Sequence, residues 1–333
     1  MSDFLYGRKC KILIANQNND AWDVSQLRCI FKVEKSVFPN VNFAEVKIYN
    51  LNADTDLSII KEGVRIVIEA GYDGFIQTDT IQNGESIKVQ SPKQYGKIFE
   101  GELVQYLHDR EDNIDYTLTL IAYDGDTLSN RSFIDFNVNK GMNHRQIINQ
   151  IATQATSSAD VGHISPDIGS KTLPRGKVFF GAPKGYLRDI ARDNNANFWI
   201  DDGQIVIAKV TDIPPGQALV LSPTTGLIGV PHQTQEGIQY RCLLNPSITL
   251  RSMVKIDNSI VRLMKLQASQ SALGTVFALQ SPLDADGQYT TAKVVHTGDT
   301  RANEWYTDVV GISHNGIGVL PMLMSNPTQS PNR

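Results

Sequence analysis

The chain has 333 residues, 41% of them apolar and 20% charged, with a formal net charge of −4. That length supplies two or three domains with cores of their own, and the composition is ordinary for a globular protein. The slight acidic balance argues against generic nucleic-acid binding, which draws on a basic excess. No run approaches the roughly 18 apolar residues of a membrane-crossing helix, so stable membrane insertion is not expected. The first ten residues also lack the basic-then-apolar pattern of a secretory signal. Cys10, Cys29 and Cys242 are odd in number and contain no Cys-x-x-Cys pair. They read as reduced thiols packed in strands, and a Cys10–Cys29 disulfide is the disfavoured alternative.

From Lys9 to about Asp126 the chain reads as strands. Lys11-Ile-Leu-Ile, Leu27-Arg-Cys-Ile-Phe-Lys-Val-Glu, Ala44-Glu-Val-Lys-Ile-Tyr-Asn and Val64-Arg-Ile-Val-Ile-Glu-Ala show the alternation of half-buried strands. Lys97-Ile-Phe-Glu-Gly-Glu-Leu-Val and Asp115-Tyr-Thr-Leu-Thr-Leu-Ile-Ala-Tyr follow. The polar run His108-Asp-Arg-Glu-Asp-Asn113 between them reads as a solvated hairpin connection. One short helix is expected near residues 54–61, with Asp54 or Thr55 as N-cap and Gly63 just past its end.

The character changes at about Thr127. Ile147, Ile148, Ile151 and Ala155 fall at helical spacing behind Asn143, an N-cap residue. His144, next to that cap, reads as an exposed first-turn residue. A polar loop is expected up to about Lys177, then a second helix from Pro183 with Leu187, Ile190 and Ala191 on one face. Asn197-Phe-Trp-Ile-Asp-Asp-Gly-Gln-Ile-Val-Ile-Ala reads as a hairpin turning at Asp202-Gly203. Together these make a small α+β module. Past the stiff Ile213-Pro-Pro-Gly216 strands resume: Tyr240-Arg-Cys-Leu-Leu, Met253-Val-Lys-Ile-Asp, Thr275-Val-Phe-Ala-Leu-Gln, then residues 289–296 and 305–312. The last stretch, from about Leu320, is expected to be a mobile tail.

Motifs for chemistry are sparse. The six histidines are scattered, with no His-x-x-x-His, so no metal centre is expected. Asp124-Gly-Asp126, Asp201-Asp-Gly203 and Asp284-Ala-Asp-Gly287 read as turns of solvated aspartates; calcium-loop spacing already fails at Leu128. Ser252-Met-Val-Lys255 matches Ser-x-x-Lys only formally, because residues three apart in a strand face opposite ways. A glycosidase needs two carboxylates across a cleft. Glu100, Glu102, Asp112 and Asp115 are the available set, and an outer hairpin face is the better reading. Trp199 with Phe198, and Trp305 with Tyr306, read as packing aromatics rather than sugar platforms. No catalytic, cofactor-binding or metal-ligating residue is assigned, and no cofactor is expected.

Three stretches carry a resemblance: Gly226-Leu-Ile-Gly-Val-Pro-His-Gln-Thr-Gln-Glu-Gly-Ile-Gln-Tyr-Arg-Cys-Leu-Leu-Asn-Pro246, Leu283-Asp-Ala-Asp-Gly-Gln-Tyr-Thr290 and His296-Thr-Gly-Asp-Thr-Arg-Ala-Asn-Glu-Trp305. They resemble the second ring-forming domain of phage baseplate hub proteins, the Mu-like, late control D-like hubs of contractile tails. Phe99-Glu-Gly-Glu-Leu and Tyr123-Asp-Gly-Asp-Thr127 are similar to closing strands of the first such domain, and the helix-plus-aromatic-hairpin pattern to the middle one. The resemblance spans roughly residues 5–313. It implies a mainly β, multidomain fold with two β-barrel tube-type domains, residues 1–126 and 213–319, flanking an α+β domain, residues 127–212, and a tail at 320–333.

The resemblance further implies a non-enzymatic homotrimer. Its pseudo-sixfold ring would join a hexameric tail tube, or a tube initiator, to a trimeric central spike protein, with baseplate wedge or other tail proteins around it. The location implied is the virion tail, assembled in the bacterial cytoplasm. A separate spike protein is expected, because residues after Leu320 leave no room for a needle or lysozyme domain. The alternatives are a tail-associated cell-wall hydrolase or glycan-binding protein, and the hub of a related contractile injection system. The apolar, cation-broken run at residues 259–267 and the small-residue run after it form a candidate assembly interface: Arg262, Leu263, Met264, Leu266 and Leu273.

Overall fold

In a computed structural model of the chain, the described residues are 7–313 apart from 19, 38–40, 75, 81–85, 91–93, 112–113, 157–158, 210–211, 213–217, 235–236 and 262–286. The fold is mainly β and multidomain. It divides into two compact units, one drawn from residues 12–68 and 99–212, the other from 1–11, 69–98 and 213–333.

The first unit contains an antiparallel sheet whose neighbours run Cys29–Ser36, Phe43–Tyr49, Asp115–Tyr123 and the later part of Gln94–Glu111. Alternation dictates the layering. Phe31, Val33, Val46, Ile48, Leu118 and Leu120 point to one side and are fully buried, while Lys32, Glu45 and Lys47 point away. Each such burial is worth about 1.5–3 kcal/mol. Helix α1, Ala53–Glu62, begins one residue earlier than the sequence predicts. Asn52 caps it, accepting from the Asp54 N–H at 3.3 Å, and the Gly63 N–H closes it on Ile59 O.

The α+β module lies in the same unit. Helix α2, His144–Gln154, starts at a full capping box between Asn143 and Gln146, and helix α3, Pro183–Asp193, starts on its proline. Ile147, Ile148 and Ile151 of α2 and Leu187 of α3 share one buried cluster with Phe179, Ile205 and Ile207. The predicted hairpin forms as Asn197–Asp201 against Gln204–Ala208. Asp202 and Gly203 both have positive φ, the requirement of a tight two-residue turn. Where the sequence reads as a loop, the structure has strands. Asp160–Ile164 runs parallel to Gln204–Ala208, and Lys177–Gly181 pairs with Ile134–Val138. These five-residue strands are stabilised by distant partners, which local periodicity does not register.

In the second unit the antiparallel order is Leu227–Thr234, Gly237–Leu243, Trp305–Ser313, Gln288–Asp299. Met253–Ile256 adds to Gln288–Asp299 and runs parallel to Leu219–Leu221. Tyr240, Tyr289, Val254, Val294 and Trp305 fill its core. Cys29 and Cys242 are buried thiols, each donating to a strand or loop carbonyl.

Candidate functional site

The charged turn at Asp124–Asp126 is a structural joint. Asp124 and Asp126 are buried, contrary to the expectation of solvated turn aspartates. Gly125 between them has φ +66°, and a Cβ there would meet Ile200 at 2.4 Å, so the hairpin of residues 197–208 packs directly onto this turn. The Asp124 carboxylate accepts from Asp202 N–H at 2.6 Å through Oδ2 and from Gly203 N–H at 2.8 Å through Oδ1. Lys35 reaches the same turn, its Nζ donating to Asp201 Oδ1 at 2.9 Å and Asp202 Oδ1 at 2.7 Å. Asn42 completes the latch by donating to Ile200 O at 2.7 Å.

The three carboxylates lie close to one another, and two of them, Asp201 and Asp202, are ion-paired with Lys35. Burial alone would lower the Lys35 pKa. The charges of Asp201 and Asp202 outweigh it and hold the ammonium above the usual lysine range. Burial, partly countered by Lys35, pushes the Asp124 carboxyl up to about 7.

Among the described residues, the carboxylates that a hydrolase reading would use are each engaged by a neighbour. Glu100 pairs with Arg65, Glu102 accepts from the Thr127 backbone and hydroxyl, and Asp115 accepts from Asn50; Asp112 lies outside the described residues. Ser165, His163 and Asp212 do meet, but Ser165 Oγ and His163 Nε2 both bind the same oxygen, Asp212 Oδ2. The carboxylate stands between the other two, so the histidine has no serine to activate. His144, expected at the surface, is buried against the α3 C-cap, where its Nδ1 meets Asn194 Nδ2 at 2.8 Å. Phe198, Trp199 and Trp305 are buried, as packing aromatics should be. Ser252 lies just outside Met253–Ile256 and bonds to Thr249 O, not to Lys255. In the second unit a hollow of about 540 Å³ opens over Ile228, Val230, His232 and Lys293. Its guanidinium, Arg241, is already clamped by both oxygens of Asp308 at 2.7 and 3.0 Å.

The feature that remains is a sheet edge. The Gln94–Glu111 strand pairs with Asp115–Tyr123 from Glu102 to Glu111, with a bulge between Leu103 and Gln105. On its other side, the Leu103 N–H bonds to Val64 O at 2.9 Å, where the chain turns back into α1. Beyond that point, among the described residues, no strand lies along residues 104–111. The Arg110 N–H is taken by the Asp109 carboxylate instead, and His108 Nε2 meets Asp56 Oδ2 of α1 at 2.6 Å. Every residue from 104 to 111 is exposed. Of the twelve large hydrophobics exposed among the described residues, five are in this ribbon: Val104, Tyr106, Leu107, Ile114 and Tyr116. Leu57 of α1 is a sixth. A ribbon so apolar is an interface signature. The sequence reads residues 108–113 as a solvated connection; the strand instead continues to Glu111, held by Arg110 over the Tyr116 ring and by Lys47 on Glu111. The sequence-derived interface residues Arg262, Leu263, Met264, Leu266 and Leu273 lie outside the described residues.

The family model for baseplate hub gp41 matches residues 14–264. The chain belongs to that hub family. It is thus a structural component of a phage baseplate. The 43 kDa tail protein of prophage MuSo2 from Shewanella oneidensis has a similar solved structure, with a TM-score of 0.57 at 10% identity, covering 92% of this chain and 99% of that one. That likeness shows a shared fold for the hub. A tail protein from Neisseria meningitidis MC58 gives 0.47 at 11% identity over 92% and 96% of the two chains. An Escherichia coli component of the type VI secretion system gives 0.47 at 10% over 90% and 78%. No curated protein matches the sequence. No helix among the described residues is long and apolar enough to cross a membrane.

Proposed function

We propose that this hub protein works mechanically, as a homotrimer whose ring joins a sixfold tail tube, or a tube initiator, to a threefold central spike. Two β-sheet regions in one chain support this reading. Three copies of a chain with two ring-forming domains, residues 1–126 and 213–319 closed as barrels, supply six similar sectors around a threefold axis. The α+β domain, residues 127–212, would stand outside the ring and meet the wedge or other tail proteins. The role calls for no cofactor, metal or catalytic residue. What it needs is stiffness, and Lys35, Asp124 and Asn42 supply it by fixing the module's hairpin to the turn after Asp115–Tyr123.

The observation that carries the proposal is the family match over residues 14–264. Light-scattering mass, with and without a separately purified spike protein, tests it. Three chain masses alone, and a larger stable complex with the spike, are expected. A monomer in both conditions would contradict it, and so would turnover of peptidoglycan in a zymogram.

A further inference from the structure

We infer that the open side of residues 104–111 receives an extended strand from a second copy of this chain. The inference rests on the trimeric reading above and names its seam.

An unpaired strand edge is a row of amide and carbonyl groups ready for another strand, and proteins that stay apart blunt such edges. Blunting devices are visible elsewhere in this chain. Leu227–Thr234, which pairs with Gly237–Leu243 on one side, is interrupted by a bulge between Ile228 and His232, with Gly229 at φ +72° and Pro231 inside it. Ala21–Asp23, paired with Arg8–Ala15, is only three residues long. Past its own bulge at Val104, the Gln94–Glu111 strand runs without such interruptions over residues 105–111. They contain no proline, glycine or lysine, and they stay in register with Asp115–Tyr123 to the last pair. At about 3.3 Å per residue they offer an edge on the order of 23 Å long.

The charges point to a like chain as the occupant. Asp109, Arg110 and Glu111 put both signs on the edge, and the exposed Arg110 offers a cation to another copy of an acidic protein. Cross-strand neighbours of either sign find a partner there. Heterologous ring closure needs each copy to present one accepting surface to the next, and within a ring the neighbour's strand is held at high effective concentration. Tyr106, Leu107 and Tyr116 then flank the added strand and lose their exposure. The same edge paired with itself would give a twofold dimer, which the experiment distinguishes.

The test compares the full-length wild type with Y106K/L107K and with V178K/F180K. The latter carries the same charge on the exposed face of the Lys177–Gly181 strand. Light scattering should give three chain masses for the wild type and for V178K/F180K, and one for Y106K/L107K with an unchanged circular-dichroism spectrum, so that the monomer is a folded one. Hydrogen exchange on the wild type gives a readout independent of the variants. Amides of residues 104–111 should exchange at least tenfold more slowly in the assembled protein than in protein diluted to monomer. A Y106K/L107K trimer, loss of assembly by V178K/F180K as well, or unprotected 104–111 amides in the trimer would overturn the seam and leave the ring reading intact. A wild type of one or two chain masses would overturn the ring reading itself.

Discussion

Two hairpins of the first unit turn at acidic residues and meet opposite fates. The hairpin of residues 197–208 is held by a buried lysine, a buried carboxylate and a buried asparagine amide, so its turn is a structural joint. The ribbon around residues 104–116 is held on one side only and leaves five large apolar side chains exposed. The difference is one of saturation. In the first, the buried Lys35, Asp124 and Asn42 groups are all partnered within the chain, while the second keeps an edge and an apolar surface open to another polypeptide.

The largest expected effect on stability comes from breaking the saturated hairpin. Lys35→Met leaves Asp201 and Asp202 without their buried cation and should cost about 3–5 kcal/mol in denaturant unfolding. Asp124→Asn keeps one acceptor oxygen but turns an amide group toward the second N–H. A loss of about 1–3 kcal/mol is expected, the cost of one unsatisfied buried donor. The same variant isolates a pH dependence. Because Asp124 holds its proton up to about pH 7 in the folded protein and releases it near 3.8 when unfolded, its contribution is greatest at low pH and is lost as pH rises through 7. The wild-type advantage over Asp124→Asn in melting temperature should therefore shrink between pH 4 and 7 and then level off. Asn143→Ala removes the α2 capping box and should cost about 0.5–2 kcal/mol without affecting assembly. The smallest effect belongs to the open ribbon, where Y106K/L107K should change the unfolding free energy of the dissociated chain by no more than about 0.5 kcal/mol.

Much of this was legible in the sequence, because strands with a single buried face announce themselves by alternation. The strands through Cys29, Val46 and Leu118, both module helices and the turn at Asp202-Gly203 were all readable in that way. The short strands of the module were not, since Asp160–Ile164 and Lys177–Gly181 owe their form to partners far along the chain, 44 residues away at the pair Val161–Ile205 and 43 at Phe136–Phe179. Nor was the burial of Asp124 and His144, because Asp-Gly and Asn-His look the same in a solvated turn as in one covered by a distant hairpin or helix cap. The ribbon was misread for a related reason. A run of four charges looks like a loop until Tyr116 and Lys47 are seen to pair with it. The signal that could have flagged it is the absence of glycine and proline through residues 104–111.

The central claim is that three chains make a ring of six similar sectors. Rotational averaging of electron micrographs of the purified protein tests it most directly. Closed rings of pseudo-sixfold outline with true threefold symmetry are the predicted result. Isolated particles or twofold dimers at the same protein concentration would contradict it.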